Sequence, residues 1–338
     1  MGTLADYTQL LRADLPDTII SEEAFQRIQA LTCHFPDALA NRIFCFELHL
    51  REQGQYVDFS LHFSADADGQ QQLLNHITPQ LNKDPVWQKL YHFASLWNDQ
   101  NSFIHHGTNH VWLEFDLDRP ASLLSTPGLF YCQHCSIDQL TTIQALAEVF
   151  YGKAEQPRVQ ENLQRCLQAI PNGAHVNQVG FGLLRNQGTI RLQVMRITPH
   201  DLPSYLEAVG WPGSTGELEP LLRLLPRFDM LTLLLDVSTE VQPKIGVECF
   251  FARYDKRLPA TLSELTDRGL CNRAQHDFLI AFSGIKLYQL DYQISITHRF
   301  LSHIKFGYDP GRTANTLEAK AYLFYHPSWQ AASIIEPH

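Results

Sequence analysis

Residues 109–118 read Asn-His-Val-Trp-Leu-Glu-Phe-Asp-Leu-Asp. Val111, Leu113, Phe115 and Leu117 fall on one face of an extended strand, and Trp112, Glu114, Asp116 and Asp118 fall on the other. Strict alternation of this kind specifies a strand with one apolar and one polar face. The pattern recurs in pairs. Segments 43–50 and 56–63, 111–117 and 129–132, 178–184 and 189–196, 230–237 and 244–251, and 300–307 and 317–325 each read as a hairpin. Their turns carry the residues that turns favour, around Gly54, across Asn186 to Gly188, and at Asp309-Pro310-Gly311.

Helical sequence separates the pairs. Residues 4–40 are expected to be helical, with Asp17 or Ser21 as caps and Pro36 as a breaker. Residues 70–97, 136–170, 199–209, 217–225 and 261–290 follow as helical stretches, and 285–292 fits helix or strand. Residues 105–106 read as a loop and the tail from Pro327 as irregular. The hairpins begin near 43, 109, 177, 229 and 299, so a hairpin flanked by helices repeats about five times. No Gly/Ser-rich linker or shift in composition divides the chain, and residues 1–338 read as one domain.

Helices need an apolar surface to lie on, so the apolar faces should sit beneath them. The opposite faces carry Cys45, Glu47, His49, Asp58, Ser60, His62, Trp112, Glu114 and Asp116 in the first two pairs. The later pairs add Arg191, Gln193, Thr232, Asp236, Glu248, His303, Lys305, Glu318, Lys320 and Tyr322. About ten antiparallel strands can curl and close, which would place these side chains around a solvated lumen inside an outer ring of helices. The alternative is one or two open sheets with helices on one side and water on the other. The expectation is the closed α+β barrel, with Gly180 and Gly182 leaving room in its lumen.

Composition narrows the partners. A net charge of −10 argues against nucleic acid. No apolar run approaches the roughly 20 residues that span a bilayer, and residues 1–14 lack the basic start and apolar core of a signal peptide. The seven cysteines are scattered and read as reduced thiols, so the expected location is the cytoplasm. Cys132 and Cys135 form the sole CxxC, with His105, His106 and His110 as the nearest further donors; without a second CxxC, no metal is expected.

Five helix–strand–strand–helix units in succession resemble the ABBA prenyltransferases, the PT-barrel family, over nearly the whole chain. Locally, His303-Ile-Lys305-Phe-Gly-Tyr308 and Glu318-Ala-Lys320-Ala-Tyr322 are similar to the basic-x-Tyr strand patterns with which that family holds a diphosphate, and Arg191-Leu-Gln193 takes a similar place on an earlier strand. The resemblance implies a PT-barrel, and it implies chemistry on a small aromatic substrate. The polar face departs from the family's basic cage. Three cations, Arg191, Lys305 and Lys320, stand against Glu47, Asp58, Glu114, Asp116, Asp236, Glu248 and Glu318. A diphosphate would meet like charge in a partly desolvated space, which costs several kcal/mol per unpaired contact.

Two enzymatic readings follow. In the first, acid/base groups make a carbon–carbon bond or close a ring on an aromatic intermediate, such as an indolic one, with no cofactor, as a non-prenylating relative such as a scytonemin-type cyclase would. Glu114, His49 and Asp116 are the candidate acid/base groups, and Lys320 and Tyr322 would steady a developing anion. Glu47, His62, Trp112, Arg191, Gln193, Asp236, Glu248 and Lys305 would bind the substrate, with Phe250, Phe324 and Tyr131 as further stacking surfaces. Crowded carboxylates should raise one another's pKa and bring a neighbouring histidine to titrate near neutrality. In the second reading, the chain is an aromatic prenyltransferase that uses an allylic diphosphate with Mg²⁺ held by carboxylates. A ligand carrier without chemistry is the third alternative.

Overall fold

The computed structural model describes residues 3–331 except 37–38, 40–41, 52–55, 78–80, 118–126, 134–138, 153–156, 184–187, 226, 253–254, 291–292 and 313–316. Asp118, Cys135 and the turns around Gly54 and Asn186 lie outside the described residues. All five expected hairpins are present: β1 (Phe44–His49) with β2 (Val57–Ser64), β3 (Thr108–Phe115) with β4 (Gly128–Gln133), β5 (His175–Phe181) with β6 (Ile190–Ile197), and β7 (Leu231–Val237) with β8 (Val241–Phe250). After β9 (Gly284–Leu290), β10 (Gln293–Tyr308) pairs with β11 (Leu317–Ala331).

Helices occupy the intervals. They are α1 (Leu4–Leu11), α2 (Glu22–Thr32), α3 (Gly69–His76), α4 (Pro85–Asn98) and α5 (Phe103–Gly107), then α6 (Gln139–Tyr151) and α7 (Pro157–Gln168). The rest are α8 (Asp201–Ala208), α9 (Glu219–Leu222), α10 (Arg257–Asp267) and α11 (Arg273–Phe282). Their starts follow local chemistry. Ser21 Oγ accepts the Ala24 N–H at 3.2 Å to cap α2, and Asp84 accepts the N–H groups of Val86 and Trp87 at the head of α4, where Pro85 needs no donor.

The sheet closes. Each hairpin pairs with the next, β8 pairs with β10, and β11 pairs with both β10 and β1, so ten strands form a ring. The ring leaves no free edge around its circumference, which a sheet of this length achieves by curling. The eleventh strand, β9, is an annex. β10 pairs with β9 over its first seven residues, crosses an irregularity between Leu301 and Ile304, and then pairs with β8. An extra residue on one strand bends it and lets it change partner.

The packing faces fall as the alternation requires. Phe44, Phe46, Phe59, Val111, Leu113, Leu192, Leu233, Val247, Phe306 and Leu323 are buried in one apolar cluster with the inner sides of the helices. Phe44 and Tyr325 stack there at 5.3 Å across the seam that closes the ring.

Three local expectations need correction. Residues 284–290 are strand, not the end of a helix: Ile285 and Leu287 alternate with Lys286 and Tyr288, a period of two that β10 selects by pairing. Residues 327–331 are not irregular, since β11 continues to Ala331; Pro327 lies opposite Thr297 on a stretch that β10 pairs with on one side only, the edge position where a strand tolerates proline. His105 and His106 lie in α5 and not in a loop, and the Nδ1 of His105 is 2.8 Å from the Trp97 carbonyl.

Candidate active site

The polar faces of the ten strands converge on a lumen with two lobes. One encloses about 420 Å³ and gathers most of the charged groups, among them Glu47, Asp116, Asp236, Lys244, Glu318 and Lys320. The other encloses about 260 Å³ and is lined by Trp112, Phe250, His303, Tyr322 and Phe324 with Gln193 and Glu248. Glu114, Phe130, Arg191, Leu234 and Lys305 border both. The lobes follow from register. Trp112 on β3 lies opposite Phe130, and Glu114 lies one pleat further along opposite Gly128.

Most of the cations in the charged lobe already have partners. The Arg191 guanidinium donates to both oxygens of Asp236, at 2.6 and 2.9 Å, directly across the β6–β7 pair. Lys320 donates to Glu47 and, at 3.4 Å, to Asp58. Lys244 pairs with Glu318. Lys305 differs: its ammonium donates to the Tyr322 hydroxyl at 3.1 Å and lies 5.8 Å from that ring's centre.

The pairing sets protonation. Burial alone would raise Glu47, but the Lys320 and Lys305 ammonium groups outweigh it and hold this carboxyl well below its usual range. Burial would likewise raise Asp236, and Arg191 holds it down. Glu114 is pushed up to about 8, by burial first and by the charge on Glu47 second. Glu248, with Gln193 Nε2 donating at 3.0 Å, is raised by burial to about 7. His303 is held down to about 3 by burial and by Lys305, so it stays neutral; it stacks on Tyr322 with ring centres 4.0 Å apart. The lumen thus contains a carboxylic acid that is neutral at physiological pH beside carboxylates that are not.

Of the predicted site residues, Glu47, Glu114, Asp116, Arg191, Asp236, Lys305 and Lys320 line the charged lobe, and Trp112, Gln193, Glu248 and Tyr322 line the aromatic one. His49 and His62 line neither. His49 is half-buried beside Asp58, with Nε2 at 3.4 Å, and pairs in register with Lys320. His62 sits at the other end of the sheet against Trp112 and His110. Glu114 and Asp116 are not joined by either histidine, because His49 and His62 lie at opposite ends of one hairpin, so His49 does not share a lobe with the acid/base carboxyls as expected. His62 also fails the expectation of titration near neutrality, since burial lowers it to about 4. Asp236 and Glu248 do not face each other: Glu248 lies opposite Thr232.

Tyr131 is not a lumen residue. It is buried beneath the helices and stacks on Phe181 at 6.2 Å, while its neighbour Phe130 points inward. Phe130 also fills the space expected at Gly180. Phe130, Lys244 and Leu234 are among the lining residues that sequence reasoning missed. Lys244 shares parity with Glu248 on β8, which was a usable signal. Phe130 had none, because β4 joins β3 through a long connection that leaves its register open.

Among the described residues, Glu47, His49 and Asp58 form one group whose ligand atoms lie within 4.8 Å of one another. The Lys320 ammonium already bonds two of the three, so a cation stands at that position without a metal. Cys132 is buried and its sulfur accepts from Gln178, as an inert thiol would. No described helix is long and apolar enough to cross a membrane.

No protein-family model and no curated protein sequence matches the chain. Solved structures do. The chain is similar to the 6-dimethylallyltryptophan synthase of Micromonospora olivasterospora, solved in complex with DMASPP and Trp, at 9% identity and TM-score 0.53 over 95% of this chain and 94% of that one. A second 6-dimethylallyl tryptophan synthase aligns at 11% identity and TM-score 0.54 over 95% and 94%. AnaPT of Neosartorya fischeri aligns at 14% identity and TM-score 0.53 over 96% and 92%.

The chain has the PT-barrel fold. The likeness extends along almost the full length of each partner, so it covers the barrel and its helices together. Within this PT-barrel the lumen chemistry is the chain's own. The barrel supplies a shielded space, and the side chains that face it decide what it holds.

Proposed function

We propose that this PT-barrel is a biosynthetic enzyme that transfers an allylic group from a diphosphate donor to a small aromatic acceptor. The observation that carries the reading is the division of the lumen into a charged lobe and an aromatic lobe that meet at Glu114, Arg191 and Lys305. A two-substrate transfer needs this layout: a place for a charged leaving group, a place for a flat ring, and a shared boundary where the new bond forms. The similar structures support it, one of them having been solved with DMASPP and Trp.

In this scheme the allylic carbon–oxygen bond breaks and the diphosphate leaves with the electron pair. A ring carbon of the acceptor then bonds to the allylic carbon. Glu114, in its ionised form, takes the proton that the ring gives up. Lys305 and Arg191 face the leaving group. Asp116 and Glu318 line the same lobe and offer the hard oxygen donors that Mg²⁺ takes. A divalent cation held there would offset the charge of the diphosphate.

A second reading is favoured by the pairing itself. Arg191, Lys320 and Lys244 are already matched to carboxylates, which leaves Lys305 as the lumen cation without one among the described residues. On that reading the barrel uses no diphosphate, and Glu114 acts as acid and base in a cyclisation or carbon–carbon bond formation. One experiment separates the two. Dimethylallyl or geranyl diphosphate, tested with and without Mg²⁺, should raise the melting temperature of the transferase, and Mg²⁺ should enlarge the rise. A protein that an aromatic ligand stabilises, but neither diphosphate does under either condition, is not the transferase.

A further inference from the structure

The five residues that border both lobes are not all polar. Phe130 projects from β4 and Leu234 from β7, and each lies against a glycine on a neighbouring strand. Gly180 on β5 is the cross-strand partner of Phe130, and a Cβ there would stand 2.6 Å from Phe130 Cδ1, inside the contact limit. Gly246 on β8 is the partner of Leu234, and a Cβ there would stand 3.1 Å from Leu234 Cδ1 and 3.2 Å from Lys305 Cε. Gly128, two residues before Phe130, adds a third position without a side chain beneath the ring, its Cβ site being 3.8 Å from Phe130 Cε2. Glycine weakens a strand, and its use in a strand interior marks a place where another group must approach closely. Here glycines on neighbouring strands meet the two apolar side chains that border both lobes.

We infer that Phe130 and Leu234 form a waist between the lobes, and that this waist sets how long an aromatic ligand can be before its far end must enter the charged lobe. The inference rests on the reading that the lumen holds a small arene, and it names the residues that determine its size. Phe130 reclines on Gly180 and closes the aromatic lobe at the level of Glu114. A single fused ring system fits on one side of the waist. A longer ligand reaches the charged lobe only if Phe130 gives way. The same feature keeps apolar substrate surface away from the Lys244–Glu318 and Lys320–Glu47 pairs, which line the charged lobe alone and whose desolvation would be costly.

The test is calorimetric titration of the full chain with indole and with 2-phenylindole. The wild type should bind indole more tightly than 2-phenylindole. Phe130→Ala should weaken indole and improve 2-phenylindole, so that the ratio of the two affinities shifts about tenfold toward 2-phenylindole. Leu234→Ala should move the ratio in the same direction, and it serves as the second variant should Phe130→Ala fail to fold by circular dichroism. Gly180→Ala should displace the Phe130 ring and weaken indole itself. If indole binds and the ratio stays fixed in the folded waist variants, the waist does not set ligand length and the inference fails. A folded wild type that takes neither arene overturns the small-arene reading instead.

Discussion

At the scale of single residues, charge pairing decides what each lumen group can do. Glu114 keeps its proton to about pH 8 because burial and Glu47 both oppose its ionisation. Its folded pKa lies above the ordinary value of 4.5, so the folded state binds the extra proton between those limits. This contribution to stability is therefore lost as pH rises from about 4.5 through 8, and Glu248 adds a loss of the same sign up to about 7. The melting temperature should fall across this window, and Glu114→Gln should flatten the fall; an equally steep profile in the variant would show that Glu114 titrates normally. If Glu114 is the base that collects the ring proton, kcat/KM should climb with pH through about 8 in the wild type. Glu114→Gln should lower it by about 10²–10⁴ and abolish the rise. A carrier would bind the same ligands in both forms and turn over none.

Lys320 gives a second test at this scale. Glu47 is 1% exposed and depends on Lys320 for its charge. Lys320→Met should cost about 3–5 kcal/mol in denaturant unfolding, because it strands a buried carboxylate. Adding Glu47→Gln to that variant should recover most of the loss. If the double variant is no more stable than Lys320→Met alone, the charges are not coupled.

At the scale of elements, alternation and capping explain most of what forms. Leu113 on β3 and Leu233 on β7 are buried because each strand must turn one face to the helices. α4 begins where Asp84 caps two N–H groups, and its buried Trp87, Phe93 and Trp97 hold it in the apolar cluster. Asp84→Ala should destabilise the protein by about 1 kcal/mol, measured by thermal or chemical unfolding, with m unchanged. The elements that the sequence misplaced share a cause. For residues 284–290, helix and strand patterns both fitted, and pairing with β10 made the choice. For Tyr131 and Phe130, two aromatic residues in succession gave no sign of which points inward, and a shift of one residue reverses a strand's faces. The hairpins with short turns left no such freedom, and Glu47, Asp58, Lys305 and Lys320 all face where the alternation put them.

At the scale of the whole molecule, closure makes the site. The β1–β11 seam joins segments near opposite ends of the chain, and it brings Lys320 to Glu47 and Asp58. A chain ending at residue 308 would keep ten of the eleven strands but leave β1 and β10 with open edges. It should aggregate or be cleaved rapidly by protease, which size-exclusion chromatography and limited proteolysis would detect. A soluble monomer of native far-UV spectrum would mean that the barrel does not depend on this seam. Closure also explains how seven acids share one interior. Three cations take four of the carboxylates, Glu114 and Glu248 hold protons in part, and the lumen is far less negative than its composition.

The amino-acid sequence alone determined the repeat, the faces and the sign of the interior. Those are local properties: a period of two, a turn, a helix cap and a side chain's charge act over a few residues. Which carboxylate meets which cation, where the lumen narrows, and that His49 and His62 stand apart were decided by the tertiary structure. Those depend on register between strands far apart in sequence, and register is settled only when the ring closes and every strand must fit both neighbours at once.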